Sequence, residues 1–126
     1  MQTIASILTA VVALEHLYIL WMEMFAWETV GKKTFRGAMA ENMFTPTKGM
    51  AANQGLYNGF LAAGLIWSFL IKDPAWQINV RLFFLGCISI AGIFGALTAS
   101  KKIFFVQALP ALLAMGLTLY TTGWRV

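Results

Sequence analysis

Long apolar blocks separated by short polar breaks set the pattern of this chain. Apolar residues dominate positions 3–27, 50–71, 76–99 and 103–124. The breaks are a polar stretch over 28–49, a KDP triplet at 72–74 and an SKK triplet at 100–102. Each block is continuously apolar and near the roughly 20 residues that a helix needs to cross a bilayer. A membrane barrel strand would instead alternate over about 10 residues. The pattern predicts an all-α fold, a bundle of four transmembrane helices forming a single domain over residues 1–126, without linker or internal repeat.

Composition supports that reading, since 60% of residues are hydrophobic and 11% charged, whereas a soluble domain carries about 25% charged residues. No Lys or Arg precedes the first apolar run and acidic residues lie within it, so it is expected to be a retained helix and not a cleaved leader. Lys32, Lys33, Arg36, Lys48, Lys101 and Lys102 fall on one side of the predicted topology, and Lys72, Arg81 and Arg125 on the other. Basic loops face the cytoplasm. The expected location is the cytoplasmic membrane, with both termini outside and loops one and three inside. The net charge of +4 then reads as a topology signal and a contact with anionic lipids, with no nucleic-acid partner. Within loop one, residues 35–44 could form a short interfacial helix with Phe35, Met39 and Met43 on its apolar side, or a solvated loop.

Candidate chemistry lies in the first block, where LEHLYILWMEMFAW contains Glu15, Glu23 and the single histidine, His16. A charge near a helix centre costs about 2.5–3.5 kcal/mol, and each Leu, Ile, Val or Phe returns about 0.3–0.6. Ten such residues return roughly 3–6 kcal/mol, so two ionised glutamates leave this helix marginal without partners or protons. At about 100° per residue, Glu23, Trp27, Val12 and Ile19 lie close to His16 and Glu15 lies at the sector's edge. Leu14, Leu17, Trp21 and Phe25 occupy the opposite, lipid-suited side. The polar sector should face the bundle interior.

The second block offers a matching surface in NQGLYNG, with Asn53, Gln54, Tyr57 and Asn58. Antiparallel packing is expected to put Glu23 level with Gln54 and Tyr18 close to Asn58, with Gln107 entering at a similar depth. Gly55, Gly59 and Ala63 form one small-residue line, and Ala91, Gly95 and Ala99 another, both read as helix contacts. Trp27, Trp76 and Trp124 are expected at the membrane interfaces, Pro110 is expected to kink the last helix, and Cys87 to be a small buried residue. One histidine falls short of the usual zinc or di-iron patterns, so no metal is expected. No nucleotide or phosphate-loop motif is present, and no cofactor is expected.

The stretches VVALEHLYILWMEMFAWE and ANQGLYNGFLAAGL resemble small membrane proteins grouped as domain-of-unknown-function family 1304. That resemblance implies a four-helix membrane fold, carries no established activity, and singles out Glu15, His16, Glu23, Asn53, Gln54 and Asn58. Two kinds of function fit the residues. In one, Glu15, His16 and Glu23 perform acid/base chemistry on a small amphipathic or lipid-like ligand lined by Tyr18, Asn53, Gln54, Tyr57, Asn58 and Gln107. In the other, the carboxyls exchange a proton for a substrate during transport, a layout that favours a homo-oligomer. The plain alternative is a structural or assembly subunit, in which the amides serve only as interhelical hydrogen bonds worth about 0.6 kcal/mol each.

Overall fold

The structure is a computed structural model and describes residues 1–123. The expectations for Trp124, Arg125 and Val126 lie outside the described residues. Five α-helices follow in order: α1 (Gln2–Phe25), α2 (Lys32–Thr34), α3 (Lys48–Leu70), α4 (Pro74–Thr98) and α5 (Leu109–Thr122). The chain is all-α, and no strand element occurs among the described residues. α1 packs along α3 and α5, and α4 packs along the same two helices. Val12, Ala13, Leu65, Leu85, Ile88, Ala111 and Ala114 fill the core where these four helices meet.

Three segments are long and apolar enough to cross a membrane: Gln2–Phe25, Pro74–Thr98 and Phe104–Thr122. α3 is 23 residues long and is not among them. Its Asn53, Gln54 and Asn58 fall in the first half of the helix, so no long window of it is as apolar as its neighbours. The exposed positions on α1 include Leu14, Leu17, Trp21 and Phe25, while Val12, His16, Ile19 and Glu23 are buried. This is the division that the helical period predicts.

Residues 35–44 of the connection from α1 to α3 contain no α-helix, and most of them are exposed, as in the solvated-loop alternative. A π-helical turn, Trp27–Gly31, leads into α2. Gly37 then turns the chain with φ +85, a conformation that favours glycine, and residues Glu41–Met43 form one 3₁₀ turn. Trp27 packs within this connection. Its ring lies 5.6 Å from that of Phe35 and 5.1 Å from that of Phe44, and its Nε1 donates to Thr47 Oγ1 at 3.1 Å. A side chain on Gly31 would meet the same ring at 2.7 Å. Sequence periodicity carries no record of this cluster, because its members come from different turns and meet only in the tertiary fold.

α4 begins cleanly. Asp73 caps it by accepting from the Trp76 amide at 2.8 Å, and Pro74 occupies the first turn, where a missing N–H costs least. Pro110 lies inside the span Phe104–Thr122, just after the π-helical turn Phe104–Ala108, so the helix departs from regular α geometry next to the proline. Close approach between α4 and this turn occurs at Gly92, whose buried Cα faces the backbone of Ala108. The predicted line was Ala91, Gly95 and Ala99. Only Gly95 makes such a contact, with Ile103, while Ala91 and Ala99 are exposed. Small residues also recur one position along the helix, at Gly92 and Ala96, and spacing alone does not choose between the two lines. On α3, Gly55 faces Glu23 and Met24, and Gly59 faces Leu20, as the packing argument requires; Ala63 is exposed. Cys87 is half-buried and free.

Candidate functional site

The helical period of α1 puts His16 and Glu23 on its inward side and Glu15 at the flank. His16 is 1% exposed, and its Nδ1 lies 2.9 Å from the Val12 carbonyl oxygen. A carbonyl only accepts, so Nδ1 carries the hydrogen, and the neutral ring keeps Nε2 as an acceptor. Glu23 is 8% exposed, and its Oε2 accepts from Asn58 Nδ2 at 2.9 Å. The same Nδ2 also lies 3.2 Å from the Gln54 carbonyl oxygen, which holds the amide in place. Glu15 is half-buried, and its Oε1 is fully covered without a hydrogen-bond partner among the described residues.

The level of α1 against α3 is the expected one, and the side chain of Glu23 reaches an amide of α3 as expected, that of Asn58. Gly55 sits beside the Cβ of Glu23, so residues 54 and 55 are level with it as antiparallel packing requires. The Cα–Cβ bond of a helical residue leans toward the helix N-terminus. Glu23 therefore reaches back to the level of Leu20, where Gly59 and Asn58 stand. Asn58, and not Gln54, is the partner that results.

Asn53, Gln54, Tyr57 and Tyr18 are exposed on the flanks of their helices. Tyr18 stacks on Trp21 at 5.7 Å and Tyr57 meets Phe60 edge-on at 5.9 Å. Gln107 is half-buried within the π-helical turn before α5. The side chains that come together are thus those of Glu23 and Asn58, with His16 buried two turns along the same helix.

Among the described residues no cation pairs with the carboxyls of α1. Among the described residues the ion pairs are Lys48–Glu28 at 2.8 Å and Lys32–Glu41 at 3.6 Å, both in the first connection. There the Lys48 ammonium, aided by the Thr45 hydroxyl, holds the Glu28 carboxyl below the usual carboxylate range. No group of three or more His, Cys, Asp or Glu able to hold a metal occurs among the described residues.

Arg81 is the functional candidate that the sequence reading missed by counting it with the loop cations. It lies seven residues inside α4 and is 6% exposed. The available signal was its place inside a long apolar block, where an ionisable residue is rare and marks a site.

A protein from Lactococcus lactis subsp. lactis (strain IL1403), called "Uncharacterized protein YpaA", is 34% identical over 116 residues, covering 91% of this chain and 96% of that protein. No solved structure matches. The chain belongs to the family described as "Protein of unknown function (DUF1304)", whose profile matches residues 10–119.

Proposed function

We propose that this chain is a single integral domain of the cytoplasmic membrane, a bundle of four transmembrane helices whose α1–α3 interface binds a small amphipathic or lipid-like molecule and exchanges a proton with it. The observation that carries this reading is the Glu23 carboxyl, 8% exposed in a membrane-length apolar helix and hydrogen-bonded, among the described residues, to the neutral amide of Asn58 alone. An ionised side chain at such depth costs about 2.5–3.5 kcal/mol, and an interhelical polar contact returns on average about 0.6. That contact cannot balance the cost of an ionised carboxyl, so a role as interhelical glue leaves most of it unexplained. A group that takes and gives a proton accounts for it, with the free Nε2 of His16 as a second acceptor on the same face.

α3 crosses with the others on this account. At about 1.5 Å per residue its 23 residues span about 35 Å, and pairing with Glu23 occupies one of its three early amides. Asn53 and Gln54 remain outward, where a second copy of the chain or lipid headgroups meet them. The basic residues of connections one and three set those loops in the cytoplasm, with both termini outside.

Proton-coupled transport is the second reading, favoured by Glu15, whose covered and unpartnered Oε1 offers another proton-holding position two turns from Glu23. The two readings part in reconstituted vesicles. A transporter moves protons only when its substrate is supplied, whereas a ligand-modifying site alters the bound molecule without a gradient. The common test is native mass spectrometry of the protein purified in mild detergent. A retained small molecule is expected for the wild type, and its loss is expected in Glu23→Gln and His16→Ala variants that keep native helicity and melting behaviour. Retention of the same mass by both folded variants rejects the site.

A further inference from the structure

A pocket of about 430 Å³ opens at the end of the molecule where α1 and α4 begin and α5 finishes. Its size falls within the range of small-molecule sites. Arg81 lines it from α4, Gln2, Thr3 and Ser6 from α1, and Thr118 and Thr121 from α5. The guanidinium is buried, yet its one protein acceptor among the described residues is Ser6 Oγ, 3.3 Å from NH1. Its Nε is fully covered and has no partner there. The Phe69 ring lies 4.9 Å from Cζ and covers one face of the plane. The remaining N–H groups are therefore confined to the edge.

No carboxylate pairs with Arg81 among the described residues, and a buried charge without a counter-charge is costly. Hydroxyl groups of Thr118 and Thr121 already donate to the carbonyls of Ala114 and Thr118. The side-chain donors left for a ligand include the guanidinium edge, the Ser6 and Thr3 hydroxyls and the Gln2 amide, and of these the guanidinium alone is charged. The first turn of α1 adds unpaired backbone N–H groups, with no side-chain cap. A planar or tetrahedral oxyanion matches a guanidinium edge through two parallel hydrogen bonds.

We propose that this pocket binds the oxyanion of a phosphate group, with Arg81 as its anchor and Ser6 as a supporting donor. Arg81 stands about 10 Å from the start of α4 by helix rise. On the membrane reading that is within reach of headgroup phosphates, and a lipid phosphate and a free phosphate present the same chemistry. The proposal does not depend on the α1–α3 site.

The test uses the full-length protein in neutral detergent with three probes: dioctanoyl phosphatidylglycerol, dioctanoylglycerol of the same chain length, and inorganic phosphate, each titrated by native mass spectrometry and thermal shift. Phosphatidylglycerol is expected to bind at least ten-fold more tightly than the diacylglycerol. Arg81→Met should remove that preference, Arg81→Lys should restore part of it, and Glu23→Gln should leave it intact. Saturable, Arg81-dependent binding of inorganic phosphate alone supports the site and assigns the free anion as its source. Ser6→Leu, which narrows the mouth and removes the side-chain acceptor of Arg81 while keeping its charge, should weaken the preferred probe at least ten-fold and decides the matter should Arg81→Met fail to fold. Equal binding of phosphatidylglycerol and diacylglycerol without any binding of phosphate overturns the proposal, as does a preference unchanged by Ser6→Leu and by folded Arg81→Met.

Discussion

Replacing Gly92 with alanine should destabilise the protein, whereas the same change at Gly86 on the same helix should not. A Cβ at Gly92 would lie 2.7 Å from the Ala108 nitrogen, 2.9 Å from its Cβ and 3.0 Å from its Cα. Non-bonded heavy atoms prefer about 3.5–4.0 Å, so α4 and the π-helical turn must separate by about 1 Å. No flexible side chain can absorb this, because two of the three atoms are backbone. Overpacking of this kind costs about 1–3 kcal/mol. At Gly86 a Cβ would meet nothing within 4 Å. Alanine improves helix propensity by about 1 kcal/mol at either position, so that contribution cancels when the two variants are compared. Unfolding by a denaturing detergent, followed by far-ultraviolet circular dichroism, should show Gly92→Ala less stable than Gly86→Ala by about 1–3 kcal/mol, about 5- to 150-fold in the unfolding constant. Equal stability, or a more stable Gly92→Ala, would refute the close helix contact.

Gly59→Leu should lower folded yield well beyond Leu17→Ala, because Gly59 faces Leu20 across the α1–α3 contact while Leu17 is exposed; size-exclusion profiles in detergent report it, and equal yields would count against that contact. The Glu28–Lys48 pair should contribute stability at neutral pH, because the folded carboxyl is held below its ordinary range; that contribution is lost as pH falls through the folded value. Glu28→Gln should thus matter at pH 7, vanish in acid and shrink in high salt, and a pH-independent difference in melting temperature would contradict it. In a Cys87→Ser background, Lys33→Cys should react with an impermeant thiol reagent only from the cytoplasmic side and Lys72→Cys only from the outside; the reverse pattern would invert the proposed topology.

The inward face of α1 was legible from the sequence because helical period alone decides it: His16, Glu23, Val12 and Ile19 recur on one side, and burial follows. The pairing of Glu23 with an amide of α3 was legible as a choice between Gln54 and Asn58, and the backward lean of the side chain selects Asn58. Arg81 was misread for a related reason. A boundary drawn near Trp76 leaves a charge five residues later looking like a loop neighbour, and nothing local announces the Phe69 ring or Ser6 hydroxyl that receive it. The first connection was least legible, because Trp27, Phe35 and Phe44 are clustered by tertiary packing with no period to mark it.

On the proposed function, Glu23 is a carboxyl embedded in the membrane and able to carry a proton. Reaction of the full-length protein in lipid vesicles with a bilayer-soluble carbodiimide, which attacks protonated carboxyls, followed by peptide mass mapping, addresses this directly. The account predicts modification at Glu23, its loss in Glu23→Gln, and increased reactivity of Glu23 in Asn58→Ala, where the amide partner is removed. A water-soluble, impermeant carbodiimide should instead modify Glu41 in the exposed first connection and spare Glu23. Modification of Glu23 by the water-soluble reagent at the rate of Glu41, with no reaction toward the bilayer-soluble one, would contradict the account.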